Sequence, residues 1–165
     1  MASPLIRTAL MVRDLARSHA FYESVLELHG VYLDADLTQT ISWKLLGFRP
    51  DARLRALILK PKQIDGRPAP DFGMIGLFEL AEAAPPCPPR PDGVRFGEAV
   101  LVYYVRDLAA ALRAVAASGG SLVSGPESFR IPGVEASEAI VRDPDGIALN
   151  LVQASEGLAW LETQR

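Results

Sequence analysis

Residues that commonly ligate metals are scarce in this chain, which has one cysteine and two histidines in 165 residues. A single thiol, Cys87, excludes an internal disulfide, and Pro85, Pro86, Pro88, Pro89 and Pro91 around it describe an extended connector. With no activating group nearby, Cys87 reads as a linker thiol rather than a nucleophile. Clusters of lysine and arginine are missing too. Seventeen basic residues against 20 acidic ones leave a net charge of −3, without the basic stripe that tracks a phosphate backbone. Nucleic acid is therefore not an expected partner. No uninterrupted apolar run is long enough to cross a bilayer, and Met1 to Thr8 lack the charged-then-apolar order of a leader. The expectation is a cytoplasmic protein that does not engage a membrane.

What the chain does contain is a repeat. Val12-Arg13-Asp14-Leu15-Ala16 recurs as Val105-Arg106-Asp107-Leu108-Ala109, each copy between an apolar run and a stretch with helical spacing. An aspartate at that junction accepts hydrogen bonds from the free N–H groups of a helix's first turn and favours the positive end of its dipole. Asp14 and Asp107 are thus expected to be helix caps. Behind them Leu15, Phe21, Tyr22, Val25 and Leu26, and again Leu108, Ala111, Leu112 and Val115, form apolar faces at the three-and-four spacing of an amphipathic helix. Gly119-Gly120 stops the second helix, and Gly30 falls just beyond the first.

An apolar share of 49% suffices for a core. We expect an N-terminal module over residues 1–84, a proline-rich linker over 85–95, a C-terminal module over 96–154 and a helical tail over 155–165, in which Leu158, Trp160 and Leu161 supply apolar surface. After its first strand and helix, the N-terminal module has candidate strands at Val31–Asp34, Leu54–Lys60 and Met74–Leu80. Between the first two of these lies Gln39–Phe48, apolar enough through Trp43, Leu45 and Leu46 to suggest a short helix. The C-terminal module has Ser121–Ser124, Ala136–Arg142 and Ile147–Gln153. Asp143-Pro144-Asp145-Gly146 joins the last two as a hairpin turn, Pro presetting one dihedral and Gly accepting a positive one. Asp65-Gly66-Arg67-Pro68 reads as a turn and not as a phosphate loop. The fold class is α+β, two βαβββ modules, and a sheet covered on one face only must pair or enclose something.

Val12-Arg13-Asp14-Leu15, Ser18, Phe21-Tyr22 and Val25-Leu26, together with Asp143-Pro144-Asp145-Gly146 and Ile147-Ala148-Leu149-Asn150-Leu151, resemble the vicinal oxygen chelate superfamily. That superfamily includes glyoxalase I, extradiol dioxygenases, bleomycin-resistance proteins, fosfomycin-resistance enzymes and methylmalonyl-CoA epimerase. The resemblance runs from Leu5 to Gln153 and implies an incompletely closed barrel around a cavity, within a homodimer. In metal-using members a His in each first strand and a Glu in each fourth strand hold the ion. By position these fall on Arg7, Glu79, Val100 and Asn150, so that only Glu79 matches. His19, inside the first helix, and His29, just after it, do not restore the set. The resemblance therefore implies no divalent metal and no other cofactor, since zinc takes about four donors and open iron sites take two His and a carboxylate.

Alternation along the strands places Ala9 and Met11 beside Arg7, Ile75 and Leu77 beside Glu79, Val102 and Tyr104 beside Val100, and Ala148 and Val152 beside Asn150. The expected pocket is largely apolar with a few polar groups, as suits a small organic molecule. Arg7, Trp43, Val100, Tyr104 and Asn150 are the candidate ligand contacts, Arg7 gripping an oxyanion with its fork of donors. Alternatively Arg7 and Glu79 pair with each other, and Trp43 serves packing. Arg142 reads as a solvated strand end or a cation at the pocket rim. Three functions remain open. One is a metal-free binder of a largely apolar or anionic small molecule. Another is a metal-free enzyme with Glu79 as general base and Arg7 or Asn150 steadying an oxyanion. The third is a lyase, isomerase or dioxygenase with metal ligands elsewhere.

Overall fold

The structure, a computed structural model, describes residues 3–38, 53–64, 66–80, 93–131 and 134–154. Trp43 and the Gln39–Phe48 segment, Cys87 with its prolines, and the tail from Ser155 lie outside the described residues. The chain divides into two compact units, one for each copy of the repeat.

In the first unit β1 (Arg7–Val12) leads into α1 (Leu15–Leu26), then β2 (Gly30–Asp36), β3 (Leu54–Lys60), a two-residue ribbon of β4 (Gln63–Ile64) and β5 (Arg67–Pro68), and β6 (Met74–Leu80). The sheet order is β1-β6-β3-β2, with β1 parallel to β6 and the other neighbours antiparallel. The second unit repeats this plan. Its β7 (Val100–Tyr104), α2 (Leu108–Ala117), β8 (Ser121–Ile131), β9 (Val134–Arg142) and β10 (Ala148–Ala154) give the order β7-β10-β9-β8, with β7 parallel to β10. Each unit is thus a βαβββ module, and the protein is α+β.

The capping aspartates act as their sequence position requires. Asp14 Oδ1 accepts the Arg17 N–H at 2.9 Å, and Asp107 Oδ1 accepts the Ala110 N–H at 2.8 Å. Along α1 the residues Leu15, Ser18, Phe21, Tyr22 and Val25 are buried, and the Phe21 and Tyr22 rings meet edge to face with centroids 5.3 Å apart. Its C-terminus needs no glycine, because Glu27 itself takes the left-handed conformation, φ 55°. In α2 the buried residues are Leu108, Ala111 and Val115. Leu149 and Leu151 of β10 and Val141 of β9 are fully buried in the same unit.

Strands β3 and β6 coincide with their sequence-derived spans, whereas β8 runs on to Ile131, well past the expected end at Ser124. Gly125-Pro126 reads locally as a strand terminator. The register with β9 shifts between Leu122 and Ser124 and again between Ser124 and Glu127, so bulges absorb the pair and the strand continues. No described helix is long and apolar enough to cross a membrane.

Candidate functional site

In the first unit, β1 has one buried and one open side. Leu10 and Val12 are buried, while Arg7, Ala9 and Met11 are exposed. The parallel register pairs Arg7 with Met74, Ala9 with Gly76 and Met11 with Phe78, which puts these six residues on one face. The Arg7 guanidinium carbon stands 5.8 Å from the centroid of the Phe78 ring. Gly76 makes room for this arrangement, since a Cβ there would lie 2.8 Å from Phe78 Cε2 and 2.9 Å from Arg7 Cδ. Among the described residues the guanidinium has no hydrogen-bond or salt-bridge acceptor.

Glu79 occupies the opposite face. It pairs with Val12, and its Oε1 accepts the Leu15 N–H at 2.9 Å, at the first residue of α1. Sequence parity grouped Glu79 with Ile75 and Leu77, as found, but set that group on the side of Arg7. The register between β1 and β6, which neither strand reveals alone, separates them. Arg7 and Glu79 therefore neither share a face nor pair.

The second unit repeats the arrangement at α2. Gln153 Oε1 accepts the Leu108 N–H at 2.6 Å. Leu15 and Leu108 are equivalent in the repeat, so Gln153 is the counterpart of Glu79. Asn150 pairs with Val102, which corresponds to Ala9, and Ala9 pairs with Gly76. The counterpart of Asn150 is accordingly Gly76, not Glu79.

On the Asn150 face of this unit stand Val102 and Tyr104 of β7, Val152 of β10, and Glu138 and Ile140 of β9. Val102 is 61% exposed, and Tyr104 packs on Ala136, Val152 and Ala154. Val100 shares this side, paired with Ala148. Tyr103 points the other way, and burial pushes its phenol up to about 12. Asn150 Nδ2 donates to Glu138 Oε2 at 2.9 Å, while Asn150 Oδ1 is buried without a hydrogen-bond partner. A carboxylate only accepts, so the amide nitrogen must face Glu138 and the oxygen is the atom left over. Sequence reasoning missed Glu138. The signal lay in the Asp143–Gly146 turn, which fixes Arg142 opposite Ala148 and hence Glu138 opposite Val152.

Arg142 is neither a solvated strand end nor a rim cation. It is 7% exposed, and Nη1 donates to Glu98 Oε1 at 2.6 Å and to the Gly146 carbonyl at 2.8 Å. Nη2 donates to the Gly93 carbonyl at 2.8 Å and to Glu98 Oε2 at 3.2 Å. This two-pronged pair fastens the segment before β7 to the β9–β10 hairpin.

A cavity of about 470 Å³ lies along the outer half of the β8–β9 hairpin, beside Ser128, Arg130, Glu135, Ser137 and Gln153. Ser128, Ser137, Arg130, Glu135 and Gln153 each already have a polar partner. The Ser128 and Ser137 hydroxyls are 2.9 Å apart, Arg130 pairs with Glu135, and Gln153 holds the start of α2. None of the residues chosen from sequence lines it.

Among the described residues no group of three or more His, Cys, Asp or Glu side chains is placed to hold a metal ion. Arg7 offers a positive charge, Val100 no donor and Asn150 one amide oxygen, while Glu79 is turned to α1. These residues do not fit a divalent ion.

Two four-stranded mixed sheets, each built by the same βαβββ path with polar groups on the side away from its helix-start contact, define a paired-module class of protein. Residues 5–151 match the family profile of the Glyoxalase/Bleomycin resistance protein/Dioxygenase superfamily, and the chain belongs to it. A glyoxalase family protein from Bacillus cereus superposes with a TM-score of 0.69 at 13% identity, over 93% of this chain and 95% of that one. A glyoxalase I variant from Zea mays gives a TM-score of 0.55 at 20% identity, over 89% of this chain and 45% of the maize chain. A glyoxalase/bleomycin resistance protein from Albidiferax ferrireducens T118 gives 0.50 at 18%, over 90% and 97%. At these identities the likeness shows the fold alone. No curated protein matches the chain.

Proposed function

We propose that the protein binds a small organic anion with a largely apolar body along the exposed side of β1 in its N-terminal module, without a divalent metal. The observation that carries this reading is Arg7. A guanidinium held over the Phe78 ring, its stem seated on Gly76, is pre-positioned and lacks an acceptor among the described residues. Its fork of donors matches a carboxylate in two parallel hydrogen bonds. Met11, 41% exposed, and Ala9 beside it supply apolar surface that a ligand body can cover, at roughly 25 cal/mol per Å² removed from water. Glu79 has no part in this reading, because its carboxylate faces α1.

The test is calorimetric titration with 1-naphthoate and with uncharged 1-naphthalenemethanol in the presence of EDTA. The carboxylate is expected to bind more tightly, and Arg7→Ala to weaken it about tenfold or more while leaving the alcohol unchanged, the scale of a lost charge-assisted pair. Equal binding of naphthoate by the Arg7→Ala variant overturns the reading, as does binding that EDTA abolishes.

A further inference from the structure

The C-terminal module carries a second polar arrangement with the opposite chemistry. Glu138 shares a face with Val102, Ile140, Val152 and Tyr104, stands opposite Glu127 of β8, and is only partly exposed. Among the described residues no lysine, arginine or histidine pairs with it, and its one hydrogen bond comes from the neutral Asn150 amide. A carboxylate drawn into apolar surroundings without a counter-charge is costly. Beside it, the same Asn150 leaves Oδ1 buried without a hydrogen-bond partner, which is unfavourable for such a group. Both deficits are of one kind. Asn150 Oδ1 and the Glu138 carboxylate are two adjoining acceptors, one of them anionic, and among the described residues no cationic donor pairs with either.

We infer that the Asn150–Glu138 pair recognises a primary ammonium group carried on an apolar body. An ammonium has three N–H donors and no acceptor, so one nitrogen can serve Asn150 Oδ1 and the Glu138 carboxylate together. A water molecule satisfies the amide oxygen but brings no charge to Glu138. Guanidinium meets the charge requirement, but its planar fork suits two oxygens of one carboxylate, whereas these acceptors come from two different side chains. The body of the ligand lies against Val102 and Ile140, apolar groups that reach the same face.

The two side chains hold each other through the Asn150–Glu138 hydrogen bond, and the backbone that carries Glu138 is closely packed. Strand β9 is the interior strand between β10 and β8, and at Gly125 the β8 backbone comes so close to it that a Cβ would lie 2.7 Å from the Glu138 carbonyl oxygen. Gly125 also has φ +87°, which only glycine adopts without strain. Pre-positioned groups lose little freedom on binding. This site involves different residues and a different charge from the Arg7 reading, and it stands or falls separately.

Three probes with a common body test it: cyclohexylmethylammonium, cyclohexylmethanol and cyclohexanecarboxylate, titrated into ¹⁵N-labelled full-length protein. The ammonium is expected to bind most tightly and to shift the Asn150 side-chain NH₂ signals, with Glu138→Gln weakening it at least tenfold and leaving the alcohol unaffected. Glu138→Gln keeps the size and the acceptor for Asn150, so its fold should persist. Asn150→Ala, checked for folding by circular dichroism, should weaken the ammonium as well. The inference is overturned if the alcohol or the carboxylate matches the ammonium at Asn150, if Glu138→Gln binds it unchanged, or if no probe moves the Asn150 signals. Stoichiometric Zn²⁺ or Mn²⁺ binding that Glu138→Gln abolishes overturns it in favour of a metal.

Discussion

Glu79 and Gln153 do one job with different charges. Each stands near the end of its module's last strand and takes the N–H of the first residue of that module's helix, Leu15 at 2.9 Å and Leu108 at 2.6 Å. Such an N–H has no partner within the helix, so the side chain closes one of the open ends left by helix geometry. Because an amide suffices in one module, it should suffice in the other. Glu79→Gln is expected to unfold within about 0.5 kcal/mol of the parent, and Glu79→Leu to cost roughly 1–2 kcal/mol, the worth of a hydrogen bond to a partly buried acceptor. Chemical denaturation measures both. If Glu79→Gln costs as much as Glu79→Leu, the negative charge at the helix dipole is the operative feature instead. At this scale the sequence was legible where a residue's role is local, as with the Asp14 and Asp107 caps. It was not legible where the role depends on which strand lies alongside, as with Glu79, whose face is set by its pairing with Val12.

Elements were easier to read than the contacts between them. Apolar runs bounded by turn residues located β3 and β6, because burial on both faces leaves few polar interruptions. The β8 strand exceeded its expected end because bulges, a property of a strand pair, accommodate Gly125-Pro126. Arg142 shows the same limit. Nothing near it in sequence reveals that Glu98 reaches back to it, with side-chain exposures of 8% and 13% for the pair. Removing one partner leaves the other charge buried, so Glu98→Ala is expected to destabilise the protein by about 3 kcal/mol or more. Amide exchange should also accelerate across residues 93–98, which this pair and the Arg142–Gly93 hydrogen bond hold. A cost below about 1 kcal/mol would instead place the pair among solvent-screened surface bridges.

At the scale of the molecule, the repeat that identified the family also maps what each module has done with the same positions. Arg7 and Val100 are equivalent, as are Gly76 and Asn150, and among the described residues neither module groups the donors that a divalent ion requires. The N-terminal module has an arginine lying across a glycine and a phenylalanine ring. The C-terminal one has an asparagine oriented by a glutamate. The central claim is that these faces bind organic molecules directly, and elemental analysis of protein purified without chelators tests it most directly. The account predicts well below one-tenth of an equivalent of Fe, Mn, Ni or Zn, with ligand binding unaffected by EDTA; about one equivalent of any of these, lost together with ligand binding on chelation, would contradict it.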